Sequence, residues 1–367
     1  MTNYAEFVII CKKFTPSYFD VIATPLDMTN RQKGILRVVV DCFIDSATPV
    51  GSQHLADRFF LDLSPATIRN ELAELEDRGY IAHPYTSAGR VPTDTGYRLY
   101  VDSLMEIDPI PVIDRRAIQK KAEQAADTEE LLWETSKILG KISRQLIVVT
   151  SPHIGSGVLE KIELVSLSSN RVLVVLTMKS KLVKTITLEV VSEIDRAKLD
   201  GIGRILNERL GGLTLREIRE TFAYRIGDVD DADTGLIRLF VYSRRRIFDD
   251  LREHERLYIS GTQSVIQQQE FEQPQEVRNM MEILDNEEII VHVLEKCEER
   301  AATEGASVTI GSEHTDKRLR NYSVVVATYR VGDVLGTIGL IGPKRMHYAR
   351  IVPLMDFAAQ TLSSTMS

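Results

Sequence analysis

The chain is poor in cysteine. Cys11, Cys42 and Cys297 are the only three in 367 residues, too few and too far apart for a disulfide framework or a paired-thiol metal clamp. A disulfide-stapled secreted scaffold is excluded, and a reducing cytoplasm fits. Long apolar runs are missing as well. The longest candidates, RVLVVLTM and YSVVVATY, are β-branched and far short of the ~18 residues of a membrane span, so they read as buried strands. Positive charge is also scarce: 45 Lys and Arg stand against 53 Asp and Glu, a net of −8. Duplex binding draws on a basic surface, so this balance admits a nucleic-acid partner only if the cations gather on one face.

Catalytic and metal-binding patterns are equally thin. The seven histidines are scattered; His292 falls on a helix, but no second ligand pair accompanies it. No Ser/His/Asp or Cys/His arrangement is visible. GTIGLIGP spaces its glycines three apart and lies late in the chain, which suits a strand and tight turn better than a phosphate cradle. Arg244, Arg245 and Arg246 are followed by acids at 249, 250, 253 and 255, the pattern of a salt-bridged helix surface. These absences argue against an enzyme.

What is present is ordinary composition, 43% hydrophobic and 27% charged, over a length that holds two or three folded domains. Residues 1–27 show no sustained period and are open to two readings, a flexible extension ahead of a working start at Met28 or a functional arm, of which the first is favoured. Helix logic begins at Thr29 and Gln32, which have capping-box spacing. Behind them Ile35, Leu36, Val39, Val40 and Phe43 recur at helical intervals. Ser52 is expected to cap a second, shorter helix with Leu55, Ala56 and Phe59 on one side. Ser64 and Pro65 open a third, in which Ile68, Leu72 and Leu75 form the buried stripe, and Gly79 ends it. YIAHPY is extended, TSAG turns and RVP returns. TDTGYRLYVDSLM is a further helix, capped by Thr93. Three helices followed by a two-stranded ribbon, over residues 28–105, are the order of a winged helix-turn-helix.

The 100° step puts Ala66, Thr67, Asn70 and Ala73 opposite the buried stripe, with Arg69 at the flank. Taken alone, this small polar face is open to two readings: a solvated helix surface, or a surface shaped for a major groove. Its neighbours favour the groove. Ser52, Gln53 and His54 start a helix suited to gripping phosphate. The ribbon tip carries Thr86 and Ser87, and Arg90 follows. The candidate DNA-binding set is therefore Ser52, Gln53, His54, Ser64, Thr67, Arg69, Asn70, Thr86, Ser87 and Arg90. Charge within the unit is awkward: eight Lys or Arg against ten Asp or Glu, a net of −2. Segregation of Glu71, Glu74, Glu76 and Asp77 toward the end of the third helix is the expected resolution. Affinity per subunit should be modest, and two subunits on one duplex would help.

After the Pro-rich EIDPIPVID the texture changes. Residues 115–145 suggest one polar helix. Residues 158–190 suggest three strands joined at SSN and KSK, and helices follow around 195–222 with a break at Gly211 and Gly212. Residues 276–300 are helical. ASVTIGSE, YSVVVATYRV and GTIGLIG are strands, and RIVPLMDFAAQTLSS closes the chain as a helix.

Four stretches, RQKGILRVVVDCFIDSATPVGSQHLA, LSPATIRNELAELEDRGYIAHPYTSAGRVPTDTGYRLYVDSLM, RLYISGTQSVI and GTIGLIGPKRMHYARIVPLMDFAA, together resemble the heat-inducible transcription repressor family HrcA, from about Met28 to the C-terminus. The resemblance implies an α+β multidomain fold: the winged helix-turn-helix, then a GAF-like α/β domain (106–194 and 282–367) with an inserted dimerisation domain (195–281). It implies a cytoplasmic homodimer that represses chaperone operons from an inverted-repeat CIRCE operator on double-stranded DNA. Activity would be tuned by the chaperonin GroEL, without catalytic site, cofactor, metal or membrane. SPATIRNEL would be the recognition helix and HPYTSAGR the wing. GPKRMHYAR belongs to the GAF-like part and departs from relatives, which often have Thr-Arg-Met-Asp there. The alternative is a metabolite-sensing regulator with a small effector in the GAF-like domain.

Overall fold

The computed structural model describes residues 28–60, 62–85, 89–152, 157–179, 183–190, 195–227, 235–248, 257–332 and 334–366; the expected extension, 1–27, lies outside them. The capping box at Thr29 forms: its hydroxyl accepts from Gln32 N at 3.2 Å, and the Gln32 side chain accepts from Thr29 N at 3.1 Å. α1 (Asn30–Ser46) buries Ile35, Leu36, Val39, Val40 and Ile44, whereas Phe43 is only half-buried. In α2 (Ser52–Arg58) the cap position is Gly51, and Ser52 is already helical, so the expected Ser52 cap is not made. Phe59, expected on the apolar side, is 48% exposed because the chain leaves the helix there.

α3 (Pro65–Asp77) begins as its sequence predicts. Ser64 accepts from Thr67 N at 3.1 Å, and Ile68, Leu72 and Leu75 are buried. Gly79, at φ 78°, takes the left-handed turn. β1 (Ile81–Ala82) pairs antiparallel with β2 (Val91–Pro92), and Val50 adds a bridge to Arg90. α4 (Asp94–Leu99), capped by Thr93, passes into a wider π turn over Tyr100–Leu104.

The polar helix expected at 115–145 is two, α5 (Val112–Gln124) and α6 (Thr128–Ser143). Asp127 divides them: its side chain accepts from Glu130 N at 2.8 Å and starts a new helix. β3 (Leu146–Thr150) follows. Then come β4 (Leu159–Ser168), β5 (Arg171–Met178) and β6 (Val183–Glu189), an antiparallel three-stranded sheet. α7 (Arg196–Leu210), α8 (Leu215–Ile226) and α9 (Leu236–Phe248) lie on it. Ile162, Val174, Leu176 and Ile186 of the sheet share one core with Leu206, Phe222, Phe240 and Phe248 of the helices.

The chain then returns with β7 (Leu257–Ser260), α10 (Thr262–Ile266), α11 (Pro274–Leu284), α12 (Glu287–Glu304), β8 (Ser307–Ile310), β9 (Tyr322–Val331), β10 (Val334–Pro343) and α13 (Tyr348–Thr365). Its five-stranded antiparallel sheet has the order β7-β3-β10-β9-β8. Alternation along each strand feeds two cores. Ile147, Val149, Val325 and Ala327 face α5, α6 and α13, while Leu146, Val148, Val324 and Val326 face α11 and α12. GTIGLIG is the middle of β10, and a Cβ at Gly339 would collide with Leu294 of α12. That glycine serves close helix–sheet packing.

The expected boundaries at 194/195 and 281/282 cut through both cores. β4–β6 pack on α7–α9, and β7 is hydrogen-bonded to β3. The inserted unit therefore runs from about Val158 to Phe248, because the strands that need covering and the helices that cover them are consecutive.

Candidate nucleic-acid interface

The buried stripe of α3 fixes what its other face presents. Ala66, Arg69, Asn70 and Ala73 are exposed, and Thr67 is half-buried. The Thr67 and Ser64 hydroxyls lie 2.9 Å apart, so Ser64 is engaged as a cap and orients Thr67. On α2, Gln53 and His54 are exposed and Ser52 is half-buried. Gln53 Nε2 donates to Asp57 Oδ1 at 2.8 Å along its own helix, and the His54 ring stands 6.2 Å from that of Phe59. Thr86 and Ser87 lie outside the described residues.

A cavity of about 360 Å³ is lined by Val50, Gly51, Ser52, Arg69, Leu72, His83, Gly89 and Arg90. It brings Ser52, Arg69 and Arg90 together from three separate elements, while Asn70 and Thr67 lie along α3 beside it. Arg90 does not stand free as a solvated turn arginine. Its Nη2 pairs with Glu76 Oε2 at 2.9 Å, its Nη1 contacts His83 Nε2, and its Nε is buried without a partner. His83 Nδ1 in turn lies 2.6 Å from Glu76 Oε1. Burial works to raise the Glu76 pKa, but His83 and Arg90 outweigh it and hold the carboxyl below its ordinary range.

Two of the acids of α3 are ion-paired and a third accepts from a neutral amide. Glu71 pairs with Arg31 at 3.4 Å, Glu74 accepts from the buried Gln32 at 2.6 Å, and Glu76 holds His83 and Arg90. Sequence spacing missed these partners, since each is set by tertiary packing. Among the described residues no His/Cys/Asp/Glu cluster could hold a metal ion, and no helix is long and apolar enough to cross a membrane.

Residues 129–352 match the family model described as the HrcA protein C terminal domain. A heat-inducible transcription repressor HrcA from Chlorobium chlorochromatii is 40% identical over 344 residues, covering 93% of this chain and 98% of that one. The chain belongs to the HrcA family. A second heat-inducible transcription repressor HrcA, from Chlorobium phaeobacteroides strain BS1, is 41% identical over 351 residues, with 93% and 99% covered. Among solved structures, a hypothetical protein at 2.2 Å resolution superposes with a TM-score of 0.53 at 22% identity, covering 92% of this chain and 98% of that one. The mixed α/β architecture of this HrcA-family chain thus recurs in an experimentally determined structure, and its membership places it among transcription repressors.

Proposed function

We propose that residues 28–105 are a winged helix-turn-helix that binds duplex DNA, with α3 in the major groove and the β1–β2 ribbon beside it. The observation that carries this is the division of α3: Ile68, Leu72 and Leu75 are buried while Arg69 and Asn70 are exposed. Small residues at 66 and 73 let the helix approach the base edges. Asn70 has the donor and acceptor pair that matches adenine, and Arg69 the fork that matches guanine or phosphate. Ser52 and Arg90, across the shared cleft, supply phosphate contacts that set register.

The unit acts as half of a homodimer on an inverted repeat, the CIRCE operator of chaperone genes, because a two-fold protein matches a two-fold site. Dimerisation is assigned to the inserted unit. Among its described residues Val165, Leu167, Val183, Tyr224 and Tyr242 are exposed large hydrophobics, with Tyr224 92% and Tyr242 84% exposed. The five-stranded unit is read as GAF-like. Regulation follows from the free energy of the active fold: about 1.4 kcal/mol changes a small active fraction tenfold, so a repressor that needs GroEL to reach that fold reports on free chaperonin.

The test is a gel shift with an inverted-repeat duplex at several salt concentrations, with and without GroEL and ATP. Specific retardation that GroEL increases, and that is lost when one half-site is scrambled, is the expected result. Equal retardation of scrambled DNA would overturn the reading.

A further inference from the structure

The N-terminal unit is joined to the five-stranded unit along a charged seam. Asp94, first residue of α4, reaches across to the turn Gly311–Glu313. Its Oδ2 accepts from Ser312 N at 2.8 Å, and its Oδ1 meets Lys344 Nζ at 2.7 Å. Gly311 sits at φ 50°, and a Cβ there would collide with the Asp94 carboxylate, so the turn is shaped around that side chain. Burial pushes the Asp94 pKa up, yet Lys344 and Ser312 hold it below its ordinary value. One turn further, Arg98 makes a forked pair with Glu313, Nε to Oε1 at 2.7 Å and Nη2 to Oε2 at 2.5 Å, and donates to Val308 O at 2.6 Å.

On the other side of the seam Arg345 pairs with Glu270 at 2.5 Å and donates to Ile44 O, in the last turn of α1, at 2.6 Å. Helix C-terminal carbonyls lack intrahelical donors, so Arg345 fills that need from another unit. Between these contacts the buried Tyr97 and Tyr348 rings pack at 6.0 Å.

The C-terminal end of α3 is thereby referenced to the body by two routes. Arg345 holds α1, and α1 holds α3 through the 2.6 Å bond from Gln32 to Glu74. Asp94 and Arg98 hold α4, whose cap Thr93 donates from N to Tyr80 O at 3.1 Å and from Oγ1 to Gly79 O at 2.6 Å, just beyond the end of α3. A planar guanidinium in a two-point pair fixes direction as well as distance.

We propose that this seam sets the angle of α3 to the body, making Asp94, Arg98 and Arg345 positioning residues for the half-site spacing the protein accepts. The inference rests on the dimeric DNA-binding reading above. Each added base pair turns one half-site by about a tenth of a helical turn relative to the other, so a fixed angle selects one spacing and a loosened angle tolerates several.

The experiment uses the full chain, wild type and D94N, R345Q and the milder K344Q, on inverted-repeat duplexes whose half-sites are separated by a graded series of spacers, with a single half-site duplex as reference. Amide exchange at Ser312, whose N–H is bound by Asp94, reports whether the seam has opened, and circular dichroism reports folding. Wild type is expected to prefer one spacing by about tenfold over its neighbours two base pairs away, and folded, seam-opened variants to reduce that preference to about threefold or less, with single half-site affinity unchanged. Seam-opened variants that keep the wild-type preference overturn the inference. So does an equal loss on single and paired half-sites, which would mark a plain stability role. A wild type with no spacing preference removes the dimeric reading underneath, and the inference with it.

Discussion

Arg90 Nη2 lies 2.9 Å from Glu76 Oε2, so the return strand of the ribbon is tied to the last turn of α3. The tie holds a cation that a DNA phosphate would otherwise attract. The pair is partly exposed, which limits its contribution to about 1 kcal/mol or less. Replacing Glu76 by Gln removes the competing carboxylate. Because Arg90 reaches a phosphate only by giving up this carboxylate, the expected outcome is tighter binding of operator and scrambled duplex alike, measured by fluorescence anisotropy. The tie also has a pH sign. The folded-state carboxyl is held below its ordinary 4.5, so its stabilisation is complete above that value and disappears as the pH falls through the lower folded value.

Asn70 and Arg90 should fail differently when truncated. N70A removes the side chain proposed to read bases from an exposed position of α3. It should cost roughly 1–3 kcal/mol on the operator and little on random duplex. R90A should weaken both alike. Competition binding with operator and scrambled duplex separates the two. Equal selectivity of N70A and wild type would remove α3 from the groove.

The exposed tyrosines of the inserted unit give a third expectation. Tyr224 and Tyr242 leave aromatic rings in solvent at 92% and 84% exposure, and aromatic anchors dominate most interfaces. Replacing both by Ser should weaken the dimer by about 2 kcal/mol or more. On the proposed dimeric reading, sedimentation equilibrium would show monomer for the variant at concentrations where wild type is expected to be dimeric, and operator binding would become more dependent on protein concentration.

Local features of the fold were legible in the sequence, and pairings across distance were not. Thr29 with Gln32 and Ser64 with Thr67 are neighbours along the chain, so spacing alone identifies their caps. Short β-branched apolar runs likewise mark β5 and β9. The split between α5 and α6 does not show in the polar run 115–145, where nothing local distinguishes Asp127 although its side chain starts a new helix. The limits of the inserted unit were missed because an apolar strand carries no label saying which helices will cover it. On α3 the exposure of Arg69 and Asn70 follows from helical geometry, whereas Thr67 is half-buried beside the Ser64 cap. Arg90 is expected at the wing, facing DNA, but nothing in HPYTSAGR shows that Glu76, fourteen residues earlier, pairs with it. The seam joins Asp94 to Lys344 across 250 positions, a pairing that only the folded chain reveals.

Asp356 gives a stability prediction with a definite pH sign. It lies in α13, and its Oδ1 accepts from Ala306 N at 2.7 Å just after Gly305, which sits at φ 88°. Burial outweighs that one hydrogen bond and raises its pKa from 3.8 to about 6. A raised acid pKa means that the folded state binds the proton more tightly than the unfolded chain. This group's contribution is therefore fully present below 3.8 and is lost as the pH rises through about 6. The ionised carboxylate costs up to roughly 3 kcal/mol at neutral pH. D356N keeps an oxygen that can accept from Ala306 and removes the charge. It should raise Tm at pH 7.5, by about 2–4 °C for each kcal/mol gained, and the gain should vanish toward pH 4. Thermal melts of both proteins across that range decide the matter: a gain independent of pH, or a loss at pH 7.5, would show that the charge of Asp356 is not what limits the stability of this turn.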